Sequence, residues 1–221
     1  MITSTQRCIF NLPSAALSIC RSQEFGLPQN GAIYFCPHRT GKCHPSFDPI
    51  LKSIADRDPA GRFVLLIGRD ERGRAVLMKR FRTTLGNSVL DRMTFIPALP
   101  FEKYKRLLSL ATVMLDSPVY AGGLTSFDAF SYGIPEVTIS GPLHVQNFAT
   151  GIYRRMGLGH LPCKDAAEYV DLAVRLGTES EYRTEISREI EANNCKIFGS
   201  AEVIAEHERF FETVLASALS R

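Results

Sequence analysis

With 221 residues, 45% of them apolar and 22% charged, the chain has the composition of an ordinary soluble globular protein that can bury a sizeable core. That length admits one large α/β domain, with or without an arm, and excludes two. The formal charge of +3 is dispersed, without a run of like charges or a basic stripe interleaved with aromatics, so nucleic acid is not an expected partner. No segment approaches the roughly 18 consecutive apolar residues of a membrane span.

Residues 1–28 carry Pro13 and Pro28 but little periodicity, and they read as an arm or a severed interdomain linker ahead of a domain spanning 29–221. The first 23 residues lack acidic side chains and so superficially resemble an organelle transit peptide, but a severed interdomain linker explains the same stretch and is expected instead. From about residue 31, short β-branched and aromatic runs alternate with runs of helical period, the signature of parallel βαβ units. Strands are predicted at Ala32 to Cys36, Phe63 to Gly68, Met93 to Ile96, Val113 to Asp116 and Val137 to Ile139. Helices are predicted around Pro49–Arg57, Arg72–Leu85, Glu102–Ala111, Thr125–Tyr132 and Phe148–Met156.

Beyond residue 164 the pattern is wholly helical. Asp165 and Glu168 form a capping box ahead of the stripe Tyr169, Leu172, Ala173 and Leu176, and two further helices follow near Glu181–Asn193 and Ala201–Ser217, the last capped by Ser200. The expected fold is therefore a doubly wound, Rossmann-like parallel α/β sheet of five or six strands with a C-terminal helical tail from about residue 165.

Open α/β sheets bind ligands beyond the carboxyl ends of their strands, and three such places are informative. After the fourth strand, Gly122 and Gly123 lead into a helix beginning near Thr125, where open amides and the dipole suit a phosphate; Asp128, one turn on, can accept from ribose hydroxyls. The alternative is a plain Thr-x-x-Asp capping box. After the first strand, Cys36-Pro-His-Arg-Thr-Gly-Lys42 offers a mobile ammonium to a diphosphate, although Cys36 occupies the place where a P-loop needs glycine. The same loop holds Cys36, His38, Cys43 and His44, whose spacing matches no standard zinc site. After the third strand, Leu99 can present backbone groups to a base edge and Tyr104 a ring to its face; alternatively Tyr104, Leu107, Leu108 and Ala111 are only the buried stripe of a helix.

The segments YFCPHRTGKCHPSFD, FIPALPFEKY, LDSPVYAGGLTSFDAFSYGIPEVTISG, YRRMGLGHL and LAVRLGTESEYR resemble the C-terminal half of the protein O-GlcNAc transferase and SPINDLY family over about residues 25–215. That resemblance implies half of a GT-B fold, in which a UDP-sugar, UDP-GlcNAc above all, is held for inverting transfer to a Ser or Thr hydroxyl without a metal or other cofactor. It implies that Lys42 contacts the diphosphate and stabilises it as it leaves. It further implies that Leu99 and Tyr104 flank the uracil, that Gly122, Gly123 and Thr125 cradle phosphate, and that Asp128 holds the ribose. His38 and Arg39 stand where related loops differ, with Arg39 able to replace a lost contact. Leu124 replaces a polar residue and Asn147 an arginine.

The acceptor protein would be bound through an N-terminal domain that these residues do not contain, so the alternative is a non-catalytic or decayed binding module. A severed half should also expose Ile9, Phe10, Leu12 and Leu17 and so self-associate or meet that domain in another chain. The six cysteines (Cys8, Cys20, Cys36, Cys43, Cys163 and Cys195) include no C-x-x-C pair, and no apolar signal run precedes them, so reduced thiols in a cytoplasmic protein are expected.

Overall fold

The computed structural model describes residues 22–28, 30–68 and 70–219. Ile9, Phe10, Leu12 and Leu17, and with them the expected apolar arm, lie outside the described residues. The first described segment is docked on the domain: Leu27 is 3% exposed in the core, and Glu24 pairs with Arg106 at 2.9 Å.

Strand β1 (Ile33–Cys36) is buried throughout and is followed by α1 (Asp48–Arg57), with Pro49 in its first turn where the missing N–H costs nothing. Strand β2 (Arg62–Leu66) leads to α2 (Glu71–Thr84), which Asp70 caps by accepting from the Gly73 amide at 3.0 Å. A single turn, α3 (Asn87–Leu90), precedes β3 (Met93–Ile96), and α4 (Phe101–Leu108) precedes β4 (Val113–Leu115). Then come α5 (Leu124–Ser131), β5 (Glu136–Val137) and α6 (Phe148–Met156). The tail comprises α7 (Ala166–Thr178), α8 (Ser180–Asn193) and α9 (Ala201–Leu219). Asp165 caps α7 through two amides at 2.9 Å, as its capping-box sequence predicts.

All strand pairs are parallel, and their order is β3-β2-β1-β4-β5. The chain winds outward from β1 to β3 and then returns to β4 on β1's other side, so the direction of winding reverses between β1 and β4. Ligands bind at that crevice in doubly wound sheets. Side chains alternate across β1: Tyr34 and Cys36 enter the core beneath α1, α2, α6 and α7, while Ile33 and Phe35 enter a second core with Leu107, Leu108 and Ala129. Both sheet faces are covered, which accounts for the apolar strand sequences.

Helix α7 of the tail packs against a buried polar contact in the first core. Tyr34 donates to Asp58 at 2.9 Å, and its hydroxyl lies directly beneath Gly177 of α7. Burial, reinforced by Asp58, pushes the Tyr34 phenol far above its ordinary value. Among the described residues, no helix is long and apolar enough to cross a membrane.

Candidate nucleotide-sugar site

Asp116, at the carboxyl end of β4, organises the crevice. It is fully buried, and its Oδ1 accepts from the amides of Ser117 at 2.8 Å and Gly122 at 2.7 Å and faces His38 Nε2 at 3.1 Å. Oδ2 accepts from the Thr138 hydroxyl at 2.7 Å, and the Asp116 carbonyl accepts from Tyr169 at 2.9 Å. One carboxylate thus ties the loop after β1, the glycine turn after β4 and the strand β5 region together. Burial of such a group is tolerated because each oxygen is satisfied.

The Lys42 loop is fixed by the same centre. His38 is 2% exposed and turned inward toward Asp116, so its ring positions the loop from behind. The Ser117 hydroxyl donates to the Lys42 carbonyl at 2.7 Å, and the Ser117 amide lies 3.2 Å from His38 Nε2. The Lys42 ammonium reaches the glycine turn, donating to the Ala121 carbonyl at 3.3 Å and lying 4.1 Å from the Tyr120 ring centroid. Partial burial lowers its pKa, with Arg39 acting in the same sense and Asp116 opposing. Arg39 itself is exposed beside it.

The glycine turn opens α5. Gly123 is the N-cap and no side chain caps the helix, so Thr125 lies inside the first turn. The alternative of a Thr-x-x-Asp capping box is thereby excluded. The amides of Gly123, Leu124 and Thr125 have no hydrogen-bond partner among the described residues, which is the arrangement that receives an anion at a helix start. Leu124 is 83% exposed there and offers no polar side chain.

Asp128 stands one turn along, beside Tyr104. Burial raises the Asp128 pKa, against the lowering influence of Tyr104 and Lys105. The Tyr104 hydroxyl is buried and makes no hydrogen bond of ordinary geometry, and burial together with the Asp128 charge pushes its pKa far up. Its ring packs at 6.4 Å from Phe35 and 6.5 Å from the exposed Phe101, with Leu99 against the same core. Leu107 and Leu108 are core, as the buried-stripe alternative expects, and Tyr104 packs on that core beside Asp128. Lys42, Gly122, Gly123, Thr125, Asp128 and Tyr104 form one strip along the crevice.

The four Cys and His residues of the β1 loop do not converge on one point: the buried thiols of Cys36 and Cys43 face each other, while His38 faces Asp116 and His44 is exposed against Ser46 at 2.9 Å. Among the described residues no group of three or more His, Cys, Asp or Glu side chains is arranged to hold a metal ion. Asn147 caps the loop before α6 by donating to the carbonyls of Gly141 at 2.6 Å and Leu143 at 2.8 Å.

Sequence reasoning missed Asp116 as the hub and missed Glu136, a buried acid beneath the glycine turn. The available signal was a lone carboxylate within the otherwise apolar strand segment Ile134-Pro-Glu-Val137.

A five-stranded parallel sheet of this order, with an open helix start and a lysine loop at its switch point, defines a Rossmann-like half of a GT-B glycosyltransferase fold. An O-GlcNAc transferase mutant from Thermobaculum terrenum superimposes with a TM-score of 0.74, over 85% of this chain and 37% of that one, at 20% identity. Anabaena Alr3699/HepE in complex with UDP and glucose gives 0.60, over 88% and 51%, at 14% identity. The glycosyl transferase family 41 model matches residues 6–201, and the chain belongs to that family.

Among curated relatives, the probable UDP-N-acetylglucosamine–peptide N-acetylglucosaminyltransferase SPINDLY of Arabidopsis thaliana is 34% identical over 106 residues, 47% of this chain and 12% of that protein. The enzyme named SEC from the same plant, described in the same terms, is 25% identical over 196 residues, 86% of this chain and 20% of its own length. The chain thus spans only an eighth to a fifth of these relatives. It corresponds to the C-terminal half of the family's GT-B fold.

Proposed function

We propose that this chain is the UDP-sugar-binding domain of a protein O-glycosyltransferase, with UDP-GlcNAc as the donor and a Ser or Thr hydroxyl as the acceptor. The observation that supports this most is the strip that joins Lys42, the open amides of α5, Asp128 and Tyr104 across the β1–β4 crevice. In this reading the uracil lies by Leu99 and Tyr104, the ribose hydroxyls donate to Asp128, and the diphosphate sits on the open amides of Gly123, Leu124 and Thr125, with Gly122, whose amide serves Asp116, shaping the turn. Arg39 adds charge at the rim, while His38 acts indirectly by holding the Lys42 loop.

Inverting transfer needs the acceptor oxygen to attack the anomeric carbon as the bond to the diphosphate breaks. Lys42 and the helix-start amides meet the charge that develops on the leaving diphosphate, so the reading requires no metal or other cofactor. The acceptor and the base for its proton are assigned to an N-terminal domain, carried in the same protein or by another chain, and the free thiols of Cys36, Cys43, Cys163 and Cys195 support a cytoplasmic setting.

Calorimetric titration with UDP, without added metal, tests the reading. Saturable binding that is lost in Asp128→Ala is expected; no binding by the folded chain would refute it. A second reading, a binding module without catalysis, draws on the exposed Leu124 and on Asn147, whose amide is committed to Gly141 and Leu143. UDP binding without sugar transfer when the family's N-terminal domain is added would favour that reading.

A further inference from the structure

Glu136 is 1% exposed, and its side chain lies directly beneath the glycine turn. Its Oε1 accepts from the Ser126 hydroxyl at 3.0 Å and sits 3.3 Å from the point to which a Cβ on Gly122 would project. Its Oε2 is buried with no hydrogen-bond partner among the described residues. The backbone of the same residue is fully used: Tyr153 donates to its carbonyl at 2.8 Å and accepts from its amide at 2.9 Å.

The groups that act on Glu136 are Asp116 from the end of β4 and Ser126 from α5, and Glu136 in turn acts on Tyr104 of α4, Tyr153 of α6 and Tyr169 of α7. None of these is a cation. Asp116, the neighbouring carboxylate, has its oxygens committed to His38, Ser117, Gly122 and Thr138. A charge on Glu136 would therefore be a second, uncompensated anion under the turn, with one oxygen unsolvated. Burial and the Asp116 charge both push its pKa well above the ordinary carboxylate range.

We propose that Glu136 is a positioning residue of the anion site: as a neutral acid it holds Ser126 in the first turn of α5, and its ionisation closes the glycine turn to a diphosphate. The inference rests on the donor-site reading above. When Glu136 loses its proton to solvent, the negative charge faces the Gly122 peptide from below while the diphosphate approaches from above. The Ser126 hydrogen bond to Oε1 is kept, but the lone Oε2 then lacks any donor, so the charge beneath the turn stays uncompensated.

The test compares the wild-type chain with Glu136→Gln and Glu136→Ala. Infrared difference spectra at neutral pH are expected to show a carboxylic-acid carbonyl stretch in the wild type that Glu136→Gln removes. UDP dissociation constants measured from neutral pH upward should rise in the wild type once Glu136 ionises, by at most about tenfold per pH unit. Glu136→Gln should give a flatter profile, its remaining slope reporting Lys42, whose pKa burial also lowers. Glu136→Ala should bind more weakly throughout, with Gln restoring what Ala loses. Absence of the acid band, or superimposable wild-type and Gln profiles with UDP still bound, would overturn this inference alone. No UDP binding by any of the proteins at any pH would overturn the donor-site reading and this inference with it.

Discussion

Gly122→Ala places a methyl group where the turn has no room, and the cost can be worked from its neighbours. The new Cβ would lie 2.7 Å from Ser126 Oγ and 2.8 Å from Thr125 Oγ1. Thr125 is partly exposed and can rotate away, but Ser126 is fully buried and held by Glu136. Forcing a methyl into a packed site costs about 1–3 kcal/mol, and losing the Ser126–Glu136 hydrogen bond adds about 1 kcal/mol. Urea unfolding followed by circular dichroism should therefore show a loss of about 2–4 kcal/mol. Gly151→Ala serves as the control: Gly151 is exposed in α6 and an added methyl there meets nothing within 4 Å, so the better helix former should stabilise by about 1 kcal/mol. A Gly122→Ala chain as stable as the wild type, with Gly151→Ala behaving as expected, would show that the turn is not packed in this way.

Other expectations follow from the same structure. Lys42→Ala should weaken UDP binding about 10- to 100-fold in calorimetry, since a charge-assisted contact of about 1.5–3 kcal/mol is removed; unchanged affinity would exclude Lys42 from the diphosphate site. Gly177→Ala should destabilise in urea titrations although Gly177 is helical, because its Cβ would meet the Tyr34 hydroxyl at 2.0 Å, and that steric cost outweighs the gain in helix propensity of about 1 kcal/mol. Tyr34→Phe should cost about 1–3 kcal/mol in the same assay by leaving Asp58 Oδ2 without its donor. For Glu136 the sign is set by its raised pKa: the unfolded chain ionises near the ordinary value of 4.5 while the folded chain keeps the proton. Its contribution to stability is complete below that value and is lost as pH rises toward the folded pKa. Urea midpoints of wild type and Glu136→Gln should therefore diverge with rising pH in favour of Gln, and a constant difference would count against a protonated Glu136.

The first four strands were legible because each is largely an apolar run closed by Gly, Pro, Asp or Ser, as burial on both faces requires; the fifth, expected at Val137 to Ile139, is Glu136–Val137, with Ile139 left to a single bridge with Cys163. Helix starts set by local chemistry, such as Asp165 ahead of Glu168, were equally legible. The single turn Asn87–Leu90 was not, being too short to carry a period. The glycine turn, Lys42 loop and Asp128 were legible as separate candidates from their places after strands, whereas the union of the first two through Asp116 was not. The groups gathered on that residue come from His38, Gly122, Thr138 and Tyr169, and no local pattern connects them. His38 shows the same limit: sequence placed it in a ligand loop, and only the fold turns its ring inward.

The most direct test of the donor-site account is the mapping of backbone amide shifts in an isotope-labelled chain titrated with UDP. Shifts concentrated at Lys42, Leu99, Gly122, Gly123 and Thr125, with those of α8 and α9 unmoved, are the expected result. Saturable shifts confined to other surfaces, with the amides at the start of α5 unchanged, would contradict it.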